Sequence, residues 1–198
     1  MSTYAKAETL LGAAVAPLEG ARAVALVVGF SLLVALAAQV VVPLPFTPVP
    51  VTGQTFAVLL AGALLGPRLG PAAVALYLFE GAAGLPFFRG GASGAHHLFL
   101  SPTAGYLFAF PAAAFVTGLL AVRGWDRRVW TAAAAMALGS LVILAGGWAW
   151  LALATGTPAG AFRLGVAPFL LGDAVKIALA AAALPAGWAL LGRARRRD

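Results

Sequence analysis

The chain has 198 residues, and its composition excludes an ordinary water-soluble domain. Apolar residues make up 62% of it, charged residues make up only 10%, and the mean hydropathy is +0.97. Soluble domains usually carry about 25% charged residues, and a chain this apolar would expose large hydrophobic patches to water. There is no cysteine, which excludes disulfides and thiolate metal sites. We therefore expect residues 1–198 to form one all-α integral membrane domain.

Six apolar segments are predicted to cross the membrane as helices, because a helix needs about 20 apolar residues to span the hydrocarbon core. In chain order they are residues 21–42, 53–65, 71–85, 102–122, 129–154 and 165–191. Residues 1–20 are expected to be a short cytoplasmic or interfacial segment and not a cleavable signal. Residues 193–198 form a basic tail.

Four prolines fall within residues 43–50, between the first two predicted helices. Proline removes a backbone donor and disfavours helix, so this segment is predicted to be extended and to lie against the bundle. The next helix has only 13 residues before Gly66, so it spans only if it begins below the membrane surface. A short helix after such a segment points to a ligand cavity.

Two outer loops are predicted, at residues 86–101 and around residues 156–160. The first is rich in glycine and holds Arg89, His96 and His97. No carboxylate lies near the two histidines, so a metal site is not favoured there. Arg89 is interpreted as a solvated loop charge.

The cations predict the orientation of the chain. Ten Lys and Arg residues fall on one side of the predicted spans, Arg89 and Arg163 fall on the other, and Lys176 lies inside the last span. Cytoplasmic loops carry the excess of Lys and Arg, so both termini are predicted to be cytoplasmic in a multi-pass protein of the cell membrane. The net charge of +7 is thus explained without a nucleic-acid-binding face.

Asp173 and Lys176 are the clearest candidates for function, because they lie in a long apolar run and share one helix face at i, i+3. Each charge costs roughly 2.5–3.5 kcal/mol at the centre of a membrane helix. One interpretation is an ion pair that only fixes packing. The other is a pair facing a cavity, where Lys176 donates to a carboxylate and Asp173 accepts N–H groups of the same solute. If the helix begins near Gly165, Asp173 lies about 12 Å from its outer end.

Four other polar residues have two interpretations each. Glu80 is either a carboxylate at headgroup level or a ligand contact. Gln39 and Gln54 either line a cavity or cap the broken backbone around the prolines. Tyr106 either contacts a solute or belongs to an interfacial aromatic belt.

Catalytic motifs are missing from the sequence. There is no G-x-x-x-x-G-K-[ST] loop, no H-E-x-x-H motif and no assignable Ser–His–Asp set. We therefore expect no enzyme activity and no cofactor. If transport is driven by ATP, another subunit must hydrolyse it.

Four stretches carry a resemblance to a known family. They are residues 43–70, which begin PLPFTPVPVTGQTF, followed by residues 81–88, 101–107 and 172–176. In this order along the chain they resemble the biotin-specific substrate-binding (S) component, BioY type, of energy-coupling-factor (ECF) transporters. Ser101 and Ala104 depart from the family pattern, where glycine is frequent.

The resemblance implies a six-helix fold, cytoplasmic termini, and biotin bound in the outer half. Asp173 and Lys176 would contact its ureido and carboxylate ends, in either order. Gln54, Phe88 and Tyr106 would complete the substrate-binding residues.

The resemblance also implies partners, namely a transmembrane coupling subunit and two ATPase subunits. A small-residue pattern in the first helix, here Ser31 and Ala35, would meet the coupling subunit. Three alternatives remain open: an S component for another vitamin, a membrane-embedded enzyme acting on lipid, and a structural subunit in which Asp173 and Lys176 only pair with each other.

Overall fold

The structure is a computed structural model that describes residues 9–15 and 18–194, and most of these residues are helical. The predicted N-terminal segment and basic tail lie partly outside these ranges. The elements in chain order are α1 (Leu10–Val15), α2 (Gly20–Gln39), β1 (Val41–Val42), β2 (Val51–Thr52), α3 (Gln54–Ala82), α4 (Ala95–Leu100), α5 (Ala104–Ala121), α6 (Val129–Thr155), α7 (Pro158–Gly165) and α8 (Leu170–Ala194). Within the described ranges, five helical segments are long and apolar enough to cross a membrane. The prediction of a mostly helical chain with several helices of membrane-spanning length is confirmed.

The proline-rich segment is the loop of a minimal hairpin. Strands β1 and β2 are antiparallel, with Val41 opposite Thr52 and Val42 opposite Val51. This pairing ends α2 at Gln39, three residues before the predicted end of the first span. Of residues 43–50, only Val49 and Pro50 are buried. The hairpin therefore connects α2 to α3, and only the end of its loop, next to β2, is buried.

Helix α3 is two helices folded back on each other. Gly66 has φ 86° and ψ −177°, which are not helical angles. A Cβ placed on Gly70 would lie 2.8 Å from the Cα of Gly62, although eight residues of continuous helix would separate the two by about 12 Å. Gln54 and Tyr77, near opposite ends of α3, are hydrogen-bonded to each other. Residues 54–65 and 67–82 therefore run antiparallel, as the predicted break at Gly66-Pro67 requires.

Two of the predicted loops contain short helices. The second of these helices changes the bounds of the last predicted span. Residues 95–100 form α4, and residues 158–165 form α7 with Pro158 in its first turn, where proline is favourable. A 3₁₀ turn at Ala167–Phe169 separates α7 from α8, so the last long helix begins at Leu170 and not at Gly165. Asp173 consequently lies in the first turn of α8, and the predicted depth of 12 Å along one helix was wrong.

The core of the bundle is the contact between α3 and α5. In each of these helices, 61% of the most apolar stretch is buried, against 22% in α2 and 17% across residues 158–193. Gly118 packs against the backbone at Gly66, where an added Cβ would lie 2.5 Å from a carbonyl carbon. Small residues thus allow close helix contact, as expected in membranes.

One end of the bundle collects the turns that carry cations. A Cβ at Gly66, near Arg68, would lie 3.7 Å from Val122, next to Arg123. In the adjoining turn, Asp126 is 1% exposed and accepts a hydrogen bond of 2.6 Å from the indole of Trp188 on α8. Burial raises the pKa of Asp126.

The connection between α3 and α5 folds around Phe88, which is completely buried. Its ring lies edge-on to Tyr77, with centroids 5.7 Å apart, and stacks on His97 at 5.3 Å. Burial lowers the pKa of His97, and the nearby charges of Arg89 and His96 lower this pKa further. The neutral imidazole is therefore the form that fits this packing.

We expect Gly66→Ala to destabilise the protein by about 1–3 kcal/mol, because the backbone angles at Gly66 belong to a region open almost only to glycine. Thermal unfolding in detergent measures this loss. Gly29→Ala is the matched control: Gly29 lies within α2, and an added Cβ there meets nothing within 4 Å. Equal melting temperatures for the two variants would contradict the role assigned to Gly66.

We expect the melting temperature to fall as the pH drops below the ordinary histidine pKa of 6.5. Between that value and the lowered pKa of His97, the unfolded chain binds a proton that the folded chain does not, so the free energy of unfolding decreases. His97→Phe keeps an aromatic ring and removes the titration, so its melting temperature should depend less on pH. His96→Gln, at an exposed position, controls for loss of a histidine, and an unchanged slope in His97→Phe would exclude His97 as the source.

Candidate functional site: a charged cavity at three helix starts

A cavity lies at the end of the bundle where α3, α5 and α8 begin. Its polar lining includes Gln54 and Thr55 in the first turn of α3, and Asp173 and Lys176 near the start of α8. Arg89, from the connection between α3 and α5, also lines it. The predicted charged pair therefore faces a cavity.

The remaining wall is largely apolar. It includes Val49 in the hairpin loop, Phe110 on α5, Ile143 and Leu144 on α6, and Phe169 just before α8. The space open to the centres of water molecules is about 40 Å³, enough for a few waters.

Asp173 and Lys176 touch each other as well as the cavity. The Lys176 Nζ lies 3.4 Å from Asp173 Oδ1, with the two side chains 17% and 10% exposed. Ser140 donates to Asp173 Oδ2 at 2.5 Å, and Lys176 donates to Thr55 Oγ1 at 2.6 Å. Each charge thus has two polar neighbours. This geometry combines the two interpretations of the sequence, because the ion pair exists and a cavity lies beside it.

Three helix N-termini converge on this cavity. Residues 54 and 55 are in the first turn of α3, Thr103 directly precedes α5, and Asp173 is in the first turn of α8. The N-terminus of a helix carries a partial positive charge from its unpaired N–H groups. The helices therefore favour negative charge in the cavity, both on Asp173 and on a bound anion.

Arg89 is the cavity residue that the sequence interpretation missed. The sequence predicts a solvated loop charge, but Arg89 lines the cavity, and its Nε is buried without a hydrogen-bond partner among the described residues. A buried donor left unpaired costs about 1–3 kcal/mol. A ligand oxygen could satisfy it, whereas Lys176 is already paired with Asp173 and Thr55.

Gln54 and Tyr106, two predicted site residues, both line the cavity. The amide of Gln54 donates to the Tyr77 hydroxyl and accepts from Thr52. The hydroxyl of Tyr106 donates to the carbonyl of Gly165 at 2.5 Å. Tyr106 is only 7% exposed, which excludes the aromatic-belt alternative. Its ring faces the cavity region while its hydroxyl holds the end of α7.

Three other candidates lie outside this cavity lining. Phe88 is buried behind Arg89, in the aromatic cluster described above. Glu80 accepts a hydrogen bond from Ser31 and joins α3 to α2. Gln39 donates to the backbone carbonyls of Ala35 at 2.9 Å and Phe88 at 3.3 Å, so it caps the backbone.

The predicted partner-binding residues are buried in this conformation. Ser31 is completely covered and Ala35 is 5% exposed. The small residues on the exposed side of α2 include Ala25 and Gly29, and an added Cβ at Gly29 would meet nothing within 4 Å. No cluster of three or more His, Asp or Glu residues able to hold a metal occurs in the described part of the chain.

Comparison with known proteins identifies relatives along nearly the whole chain. A probable biotin transporter BioY of Pyrococcus horikoshii is 44% identical over 160 residues, covering 81% of this chain and 92% of that protein. A biotin transporter BioY of Rhizobium etli is 39% identical over 171 residues, covering 83% and 87%. Residues 43–70, on which the resemblance mainly depends, fall within this extensive similarity.

A solved structure shares the fold. The S-component for biotin from an ECF-type ABC transporter superimposes with a TM-score of 0.75 at 25% identity, covering 83% of this chain and 89% of that one. The sequence profile of the BioY family matches residues 6–193. With this match over most of its length, the chain belongs to the BioY family.

Proposed function

We propose that this multi-pass membrane protein binds biotin and mediates its uptake as the substrate-specific component of an ECF-type ABC transporter. The observation that carries the proposal is the cavity lined by Asp173, Lys176 and Arg89 in a chain of the BioY family. The Rhizobium etli relative is a biotin transporter, the Pyrococcus horikoshii relative is a probable one, and the superimposable structure is a biotin S-component. The protein is a transporter component and not an enzyme.

The chemistry of biotin fits both the polar and the apolar parts of the cavity wall. Biotin carries ureido N–H groups at one end, a carboxylate at the other, and an apolar ring and chain between them. Asp173 is an acceptor for ureido N–H groups. Lys176 and Arg89 are donors for the carboxylate, and helix N-termini favour the same charge. Phe110 and Ile143 provide apolar contacts for the middle of the ligand.

Ligand binding also compensates the buried charges. In a medium of low dielectric, a charge needs several hydrogen-bond partners to offset its lost hydration. Asp173 and Lys176 have one another and one hydroxyl each, and the Arg89 Nε has no partner among the described residues. A ligand with both N–H donors and an acid would supply the missing hydrogen-bond partners of Asp173, Lys176 and Arg89. Gln54 and Tyr106, on the cavity wall, complete the proposed substrate-binding residues.

Six membrane crossings are supported by the reversal within α3. Residues 54–65 and 67–82 count as two crossings, and together with α2, α5, α6 and α8 they give six in all. The cation-bearing turns around residues 68 and 123–128 lie at the end opposite the cavity. By the excess of cytoplasmic Lys and Arg, the cavity faces outside, and both termini are cytoplasmic in the cell membrane.

The energy for uptake must come from partner subunits, because the chain has no phosphate-binding loop. We infer a transmembrane coupling subunit and ATPase subunits as partners. Helix α2 is a suitable contact surface, since only 22% of its apolar stretch is buried. Its exposed Ala25 and Gly29 allow close approach of another helix, whereas Ser31 and Ala35 could take part only if α2 separated from α3.

We expect Lys176→Ala to weaken biotin binding by about 10- to 100-fold, the range set by a charge-assisted hydrogen bond of about 1.5–3 kcal/mol. Calorimetric titration of the purified protein in detergent measures the affinity. Arg163→Ala, which removes an exposed cation on α7, is the matched control and should bind normally. Competition by other vitamins in the same assay tests the alternative ligand class.

A double variant separates binding from structural pairing. Asp173→Asn with Lys176→Met removes both charges together, so no unpaired charge remains and the melting temperature should stay close to that of the wild type. We expect it to lose biotin binding as Lys176→Ala does. Retained affinity in this double variant would mean that the pair serves packing alone.

We expect Gly29→Leu to reduce co-purification with the coupling subunit while leaving biotin affinity in detergent unchanged, because a bulky side chain at this exposed position prevents close helix contact. Gly192→Leu is the control, since Gly192 on α8 also has open space around it. Uptake of labelled biotin by cells with and without the ATPase subunits provides the functional measurement. An intact complex with the Gly29→Leu variant would exclude this face of α2.

A further inference from the structure

Phe88 directly precedes the cavity residue Arg89 in the chain. Its side chain is 0% exposed and does not line the cavity. Tyr77 and His97 flank its ring, as described above, while the next residue in the chain reaches the cavity. The position of the Phe88 ring therefore determines where the backbone of Arg89 begins.

Gly81 provides the surface on which this ring rests. A Cβ at Gly81 would lie 2.5 Å from Cε1 and Cζ of Phe88, which is shorter than the van der Waals contact distance between non-bonded carbon atoms. Any side chain at this position would push the ring outward. The carbonyl of Gly81 also accepts a 2.7 Å hydrogen bond from the N–H of Gly94, which fixes the far end of the same loop to α3.

The backbone on both sides of Arg89 is held as well. The N–H of Phe88 donates to the carbonyl of Ala92 at 2.9 Å, closing a tight turn around Arg89. The carbonyl of Phe88 accepts from the amide of Gln39 on α2 at 3.3 Å. Gly90 and Gly91 have positive φ angles of 62° and 80°, so the turn depends on glycine. Arg89 thus projects from a rigid turn anchored to two helices.

We propose that Phe88 and its glycine seat, Gly81, are positioning residues that hold the Arg89 guanidinium at the cavity and so set the preference for an anionic ligand over its neutral counterpart. This inference rests on the proposed function. It differs from the expectation that Phe88 touches the ligand directly, because here Phe88 acts on the charged end of the ligand alone.

The test compares biotin with its methyl ester, which lacks the negative charge. Calorimetric affinities for both ligands are measured in detergent for the wild type, Arg89→Ala, Gly81→Ala and Phe88→Leu. The affinity for biotin divided by the affinity for the methyl ester reports the contact with the carboxylate. We expect Arg89→Ala to lower this ratio by about 10- to 100-fold, and Gly81→Ala and Phe88→Leu to lower it at least about threefold while ester binding changes little.

A double variant tests whether the seat works through Arg89. Adding Gly81→Ala to Arg89→Ala should leave the ratio where Arg89→Ala alone puts it, because residues acting as one unit are not additive. Gly192→Ala, in open space at the far end of α8, is the matched glycine control and should retain the wild-type ratio. Phe88→Tyr is larger by one hydroxyl at a fully buried position, so it should lower the ratio as Phe88→Leu does.

Three results would overturn the inference. Equal loss of both ligands in Gly81→Ala and Phe88→Leu would mean a purely structural role or direct contact with the ligand body. An unchanged ratio in these variants would mean that Phe88 and Gly81 do not position Arg89. A further fall of the ratio when Gly81→Ala is added to Arg89→Ala would mean that Gly81 acts elsewhere. If the wild type binds neither ligand, the proposed function itself fails, and this outcome differs from all three.

Discussion

The structure depends on keeping two opposite charges inside an apolar bundle. Asp173 and Lys176 lie one helical turn apart at the start of α8, and each is completed by a hydroxyl from another helix, Ser140 on α6 and Thr55 on α3. Two helices must therefore meet α8 at this level. The cavity occupies the space between these helix starts, and its polarity follows from the groups needed to hold the pair. The proposed site for a ligand with both N–H donors and an acid makes use of that arrangement.

Much of the fold follows from the sequence, because hydrophobic length and proline or glycine breaks are strong signals in a membrane chain. Spans at residues 102–122 and 129–154 coincide with α5 and α6, and the break at Gly66 is real. The sequence predicts the start of the last helix too early, because hydropathy stays high over residues 158–193 despite a few charges. Hydropathy cannot detect a change of direction between two apolar helices, and the short α7 was therefore missed.

The lining of the candidate site was predictable where a charge contrasted with its surroundings or where the family motifs pointed to a residue, as with Gln54 and Tyr106. Asp173 and Lys176 stand out in an apolar run, whereas Arg89 lies in a glycine-rich connection where charges are usually solvated. Only the fold shows that this connection turns inward over Phe88. The family resemblance implies a partner surface at Ser31 and Ala35, but α2 is apolar along most of its length, so its sequence pattern does not show which face is buried in the bundle. The contact of Ser31 with Glu80 decides it.

The close packing of α3 on α5 limits how this sequence can vary. At Gly118 even a methyl group would meet the backbone of residues 66 and 67, and Gly70 sits against Gly62 with the same lack of room. On the outward side of α8, by contrast, large residues such as Leu171 and Leu179 are exposed, and one aliphatic side chain can replace another at little cost. Homologous chains that share this core should therefore drift freely on their lipid-facing sides while their innermost glycines stay fixed.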